Sequence, residues 1–97
     1  MREQPRARYR LTMEFGPDDV IDREAPEAPF EQLAAILRAR ISRGDWQPRR
    51  QIPPAEQLGE QYKLSRPTVR RAVEVLITEG LLEIRHPRGT FVTEHPR

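Results

Sequence analysis

The residues of this sequence best suited to chemistry are a cluster of hydrogen-bond donors that suits a polyanion. Arg66, Thr68, Arg70 and Arg71 fall within six consecutive positions. A guanidinium group presents planar, paired N–H donors that match phosphate oxygens and the acceptor edge of guanine, and a hydroxyl group donates to phosphate. The cluster therefore indicates contact with DNA if one element presents all four side chains.

The stretch from Ser65 to Gly80 is the element that must position this cluster. Ser65 stands at an N-cap position, where its hydroxyl can accept a hydrogen bond from a free backbone N–H of the first turn. Pro67 falls in that first turn, where its missing N–H costs nothing, and Gly80 follows the last apolar residue as a C-cap. The apolar residues between these signals recur with the helical period: Val69, Ala72, Val73, Leu76 and Ile77. The spacing predicts one amphipathic helix.

A shorter helix is predicted just before this one. Ala55, Leu58 and Tyr62 recur at helical spacing, and Lys63-Leu64 leaves only a tight connection. Two helices joined by so short a turn form a helix-turn-helix, whose second helix enters the major groove. We therefore predict that the helix after Ser65 is a DNA-recognition helix. The alternative is an ordinary solvated helix face, because arginine is common on the surface of helices.

A β-hairpin is predicted directly after the recognition helix. Two short β-prone runs, at 82–85 and 90–92, flank a turn that contains proline and glycine. A helix-turn-helix followed by a hairpin is a winged helix, so we expect an α+β, mainly α fold with three helices and a C-terminal β-hairpin wing. The wing tip carries Arg85, His86 and Arg88, which can reach a phosphate or the minor groove.

The first helix is predicted from Phe30 to Gly44. Its buried stripe comprises Phe30, Leu33, Ala34, Leu37 and Ile41, and Gly44 ends it. Arg38, Arg40 and Arg43 lie in the last turns, where they complement the helix dipole. We favour this structural role for them over DNA contact. In the proline-bounded loop that follows, Trp46 is expected to pack beneath the helix.

The residues before this helix are predicted to form an N-terminal extension, 1–28, ahead of a DNA-binding domain at 29–94. Within the extension, apolar and polar residues alternate at 9–15, which predicts a strand. A lone strand is not stable, so it must pair with the wing, with a second subunit or with nothing. An unstructured basic tail is the alternative. Residues 16–28 are acidic, contain Pro26, and are expected to form a linker or a short irregular arm.

Composition excludes several classes of function. The 97 residues allow one small domain plus an extension, and the lack of cysteine excludes disulfides and thiolate metal sites. No apolar run approaches a membrane span and no nucleophile is paired with a base, so we expect a soluble cytoplasmic protein with no enzymatic activity, cofactor or metal. The acidic residues Asp18, Asp19 and Asp22 are interpreted as solvated linker. The net charge is +2, and it rises to +4 from Phe30 onward.

Several blocks of residues occur in an order that resembles a known family. They are Phe30-Glu31-Gln32-Leu33, Gly44-Asp45-Trp46, Ile52-Pro53, Leu64 to Ala72, Glu79-Gly80-Leu81-Leu82 and Arg88-Gly89-Thr90-Phe91-Val92. Over about residues 29–93 they resemble the DNA-binding domain of the GntR family of bacterial transcription regulators. The resemblance implies a winged helix that binds a palindromic operator as a homodimer. It places Ser65, Arg66, Thr68 and Arg70 at the recognition-helix contacts and His86 to Gly89 at the wing tip.

The sequence departs from the family pattern at four positions. Pro54 stands where the family usually has a serine that caps the second helix, and Pro67 replaces a frequent threonine. Pro87 replaces the usual wing glycine. Glu56 stands where an arginine usually contacts DNA, and because a carboxylate repels phosphates, we expect that contact to be lost or redirected.

Family members typically carry a C-terminal effector-binding and dimerisation domain, whereas this sequence ends at Arg97. The resemblance therefore fits either a part of a longer protein or a stand-alone winged helix, for which no small-molecule effector is implied. In a stand-alone protein, segment 9–15 is the candidate for dimerisation by strand addition. The leading interpretation is a sequence-specific regulator that binds double-stranded DNA. The alternative is a winged helix that contacts another protein.

Overall fold

The computed structural model describes residues 15–94, and the structural statements below concern this part of the chain. Three helices and a two-stranded hairpin follow one another: α1 (Pro29–Arg43), α2 (Ala55–Tyr62), α3 (Arg66–Thr78), β1 (Leu82–Arg85) and β2 (Gly89–Val92). The predicted winged helix is thereby confirmed. The strand predicted at 9–15 lies outside the described residues except for Phe15, which is not in a strand. Between residues 15 and 94, no helix is both long and apolar enough to cross a membrane.

The core lies where α1 packs against α3. Leu33 and Leu37 of α1 and Val69 and Leu76 of α3 are completely inaccessible to solvent. Burying a side chain of this size contributes about 1.5–3 kcal/mol, so these contacts fix the rotation of both helices. The buried part of α1 is wider than the predicted stripe, because Gln32, Ala35 and Ile36 are also buried. The N-terminal segment that precedes α1 explains the burial of Gln32.

This segment, residues 15–28, is irregular but docked on the helices, and we call it the strap. The side chain of Gln32 accepts a hydrogen bond from the N–H of Asp22 and donates to the carbonyls of Asp22 and Glu27, at 2.8–2.9 Å. Arg23 donates to the carbonyl of Lys63, and Phe15 and Ile21 pack against the core. The acidic segment interpreted as a linker is therefore held against the domain.

The helix ends follow the predicted capping signals. Gly44 has a left-handed backbone (φ 92°) and its N–H bonds to the carbonyls of Arg40 and Ile41. Gly80 also has a positive φ, 83°, and the next N–H, of Leu81, bonds back to the carbonyl of Leu76. The N-cap of α2, Pro54, provides no side-chain hydrogen bond, as expected for a proline that stands where the family usually has a capping serine.

The wing contains more than the predicted hairpin. β1 and β2 are antiparallel, with Leu82 opposite Val92. The loop before α2, which we predicted only as a loop, pairs with the other edge of β2. The N–H of Ile52 donates to the carbonyl of Thr90, and the N–H of Val92 donates to the carbonyl of Arg50, both at 2.9 Å. This third segment attaches the wing to the core, because Ile52 is buried.

A close backbone approach holds α2 and α3 together. The N–H of Leu64 donates to the carbonyl of Gly59 at 2.9 Å, and Lys63 adopts the left-handed conformation (φ 60°) that reverses the chain. A Cβ atom at position 59 would lie 2.6 Å from the carbonyl oxygen of Leu64. Only glycine therefore allows the turn to approach α2 this closely.

We expect Gly59→Ala to destabilise the fold by about 1–3 kcal/mol, because the added methyl group would clash with the backbone carbonyl of Leu64. Urea unfolding followed by circular dichroism measures the effect. The control is Gln57→Ala, which adds no atom and lies on the exposed side of the same helix. Equal stability of the two variants would contradict the assigned role of Gly59.

Candidate nucleic-acid interface

The start of α3 is built around a hydroxyl cap. Ser65 has an extended backbone (φ −70°, ψ 158°) and its Oγ accepts a hydrogen bond from the N–H of Thr68. The two hydroxyl oxygens lie 3.0 Å apart. A serine cap contributes about 1 kcal/mol to helix stability, so Ser65 and Thr68, both predicted at the recognition-helix contacts, have a structural role as well. Pro67 is exposed in the first turn and offers no N–H donor.

The three predicted arginines of α3 differ in their surroundings. Arg66 and Arg70 are exposed, on the side away from the buried face of the helix. Arg66 lies 3.6 Å from a carboxylate oxygen of Glu56 on α2. The guanidinium group of Arg71 instead stacks over the ring of Phe30, 3.9 Å from its centroid, and covers the start of α1. Arg66 and Arg70 are thus the arginines of α3 best placed to reach a ligand.

The wing tip presents His86 and Arg88 to solvent. Arg85 is also exposed, and its guanidinium group lies 2.9 Å from the carboxylate of Glu83. Gly89 has a φ of 132°, and a Cβ atom there would overlap the side-chain amide of Gln51. The predicted wing-tip glycine is therefore required by the geometry of the turn.

Two basic residues beside the wing were not among the predicted site residues. Arg49 and Arg50 belong to the segment that pairs with β2, and Arg49 lines a shallow groove with Arg85, Arg88 and Phe91. The sequence signal was a pair of adjacent arginines in a loop. It did not place them at the wing because that contact joins segments about forty residues apart.

The arginines of α1 are engaged within the fold, which agrees with the structural role favoured above. Arg38 makes a bidentate pair with Glu79 at 2.7 and 2.9 Å and ties α1 to the end of α3. Arg40 and Arg43 both donate to the carboxylate of Asp45 at 2.8 Å. Arg40 also stacks over Trp46, 4.3 Å from the centroid of the ring, and Trp46 packs against the core as expected.

The same contacts change the pKa of Asp45. Hydrogen bonds from Arg43 and then Arg40 hold the pKa of the Asp45 carboxyl well below its usual range, because both favour the charged form. Since the pKa of Asp45 is lower in the folded state than in the unfolded chain, its ion pairs stabilise the fold above the ordinary carboxyl pKa. This stabilisation is lost as the pH falls towards the folded-state pKa.

The acidic residues of the strap also have partners. Asp18 pairs with Arg43 at 2.8 Å, and a carboxylate oxygen of Asp19 accepts a hydrogen bond from the N–H of Gly16 at 2.7 Å. In the part of the chain that the structure describes, no group of three or more acidic or histidine side chains is arranged to hold a metal ion.

Replacing Asp45 with asparagine is expected to lower stability most at neutral pH. The difference from the unchanged protein should shrink as the pH falls below about 4, where the carboxyl of the unfolded chain becomes protonated. Thermal unfolding between pH 3 and pH 7 measures this difference. The control is Glu74→Gln, which removes a carboxylate that pairs with no described residue and should show no such trend. A stability difference for Asp45→Asn that does not vary with pH would contradict the lowered pKa assigned to Asp45.

Comparison with known proteins identifies relatives of this fold and sequence. The model of the family described as bacterial regulatory proteins, gntR family, matches residues 29–92. The HTH-type transcriptional repressor NagR of Bacillus subtilis is 36% identical over 74 residues, which cover 76% of this chain and 30% of NagR. The histidine utilization repressor of Klebsiella aerogenes is 38% identical over 72 residues, 74% of this chain and 30% of that repressor. The chain thus spans less than a third of either curated relative.

Solved structures are also similar to this chain. AraR(DBD) in complex with operator ORE1 has 30% sequence identity and a TM-score of 0.68, covering 75% of this chain and 89% of that one. The NTD of AraR in complex with mutant ORR3 has 31% identity and a TM-score of 0.66, covering 71% of this chain and all of that one. In both structures AraR is in complex with an operator or a mutant operator.

Proposed function

This chain belongs to the GntR family of bacterial regulatory proteins, and from that premise we propose that it is a sequence-specific DNA-binding transcription regulator. The observation that carries the proposal is the exposure of Arg66 and Arg70 on the first turns of α3, directly after a tight helix-turn-helix. The likeness to AraR(DBD) on operator ORE1 supports it. The relatives are transcription regulators and not enzymes, in agreement with the expected lack of enzymatic activity.

In the proposed complex, α3 enters the major groove and the wing contacts the backbone or the minor groove. Arg66 and Arg70 reach base edges or the adjacent phosphates, where guanidinium groups match the acceptors of guanine. Ser65 and Thr68 contact phosphate with their exposed hydroxyl oxygens. The wing contributes its basic side chains: Arg85, His86, Arg88 and the neighbouring pair Arg49 and Arg50. Arg71 contributes mainly charge, because its guanidinium group already stacks on Phe30.

The proposal includes a homodimer on a palindromic operator, acting as a repressor in the cytoplasm. Two copies of a helix-turn-helix bind half-sites about one helical turn apart, so the symmetry of the operator reports the symmetry of the protein. Repression is proposed because the relatives NagR and the histidine utilization repressor are named repressors. Segment 9–15 remains a proposed dimer contact, and all of it except Phe15 lies outside the described residues.

We expect Arg66→Ala and Arg70→Ala each to weaken binding to the operator, identified by selection from random duplex DNA, by roughly 1–3 kcal/mol. Each should also relax base preference at one position. Fluorescence anisotropy with the operator and with single-base variants measures both effects. The matched control is Arg38→Ala, which removes an arginine that is paired with Glu79 and should leave DNA affinity almost unchanged. Equal losses for all three variants would mean that the recognition face is misplaced.

The proposed function itself is tested by selecting bound sequences from random duplex DNA and titrating the winner at two salt concentrations. We expect a palindromic motif, affinity well above that for random duplex, and an affinity that falls steeply with salt because phosphate contacts release counterions. No enriched motif, or affinity no better than for random duplex, would refute the proposal and favour a winged helix that binds another protein.

A further inference from the structure

Glu56 lies at the contact between the two helices of the helix-turn-helix. It is in the first turn of α2, and one of its carboxylate oxygens is 3.6 Å from a guanidinium nitrogen of Arg66, the first residue of α3. The two side chains are 68% and 57% exposed. The close turn at Gly59 fixes the helices that carry them. The carboxylate thus lies beside the arginine that we propose reads DNA.

We propose that Glu56 is a positioning residue that makes Arg66 selective for base edges over phosphates. The inference rests on the proposed function. A carboxylate repels phosphate oxygens, so it raises the free energy of any arrangement in which Arg66 turns towards the DNA backbone. Contact with a base edge brings no negative charge towards Glu56. The pair therefore lowers non-specific affinity more than specific affinity.

Stabilisation of the fold does not account for this pair. An ion pair between two exposed side chains contributes little to stability, because water and salt screen it. A carboxylate in the first turn of α2 is favourable for the helix dipole, and this effect does not require contact with Arg66. Glu60 provides a comparison, because it lies one turn later on the same helix and has no ion pair to α3 among the described residues. Glu56 differs from Glu60 in its contact with Arg66, and the comparison of the two isolates that contact.

The test uses four variants of the full chain: Glu56→Gln, Glu60→Gln, Arg66→Ala and the double variant Glu56→Gln/Arg66→Ala. Affinities for the selected operator and for random duplex are measured at two salt concentrations, after circular dichroism has established that each variant is folded. Glutamine keeps the size of Glu56 and one acceptor oxygen, removes the charge, and replaces the second oxygen with an NH2 donor; Glu60→Gln makes the same exchange and serves as the matched control.

For Glu56→Gln we expect tighter binding to random duplex and a ratio of specific to non-specific affinity that falls by roughly three- to tenfold. The slope of log affinity against log salt should steepen by about one, as expected when a freed Arg66 reaches one more phosphate. In the Arg66→Ala background the same substitution should leave the ratio unchanged, because its effect acts through that arginine. Glu60→Gln should leave the ratio near that of the unchanged protein.

Two outcomes would overturn the positioning role. An equal fall in the ratio with and without Arg66 would mean that Glu56 acts independently of it, for example by accepting a hydrogen bond from cytosine. An equal fall for Glu56→Gln and Glu60→Gln would mean that only net charge matters. A failure of the proposed function is distinguishable from both, because the unchanged protein would then prefer no sequence at all.

Discussion

The burial of one face of α3 against α1 decides what α3 can present to its surroundings. Val69 and Leu76 are completely inaccessible there, and turning the helix to expose them would cost several times the roughly 1 kcal/mol of a capping hydrogen bond. Because side chains three and four residues apart share a face, this one rotation sends Arg70 outward. The close turn at Gly59 then sets where α3 begins relative to α2, and so where Arg66 meets its neighbours.

The elements that depend on local signals could be predicted from the sequence. Period, capping residues and turn chemistry placed all three helices and the hairpin, because each signal acts within a few residues of the backbone that it controls. Ser65 caps α3 and Gly44 ends α1 with a left-handed backbone, as their positions predicted. Of the candidate site, the exposure of Arg66 and Arg70 followed from the same periodicity.

Features that depend on contacts between distant residues could not be predicted in this way. Gln32 is not part of the predicted buried stripe of α1, yet it is buried because its side chain binds the backbone of the strap at Asp22, ten residues earlier. The side-chain amide of Gln51 donates a hydrogen bond to the carbonyl of Arg88, which is 37 residues later in the sequence. This contact lies beside the pairing that brings Arg49 and Arg50 to the wing. A single sequence contains no local signal for such pairs, since the chain between them has no fixed geometry until the core has formed.

The partners of the exposed arginines bear on how this surface would bind a polyanion. On the proposed DNA-binding surface, three exposed arginines have carboxylate neighbours: Arg66 beside Glu56, Arg85 beside Glu83 and Arg49 beside Glu94. A guanidinium group whose charge is already partly compensated by a carboxylate gains less from a phosphate and releases fewer counterions. The salt dependence of DNA binding should therefore be smaller than the number of exposed arginines suggests. Under the proposed function, such an arrangement reduces the sequence-independent part of the affinity and leaves more of the total to base contacts, which carry sequence information.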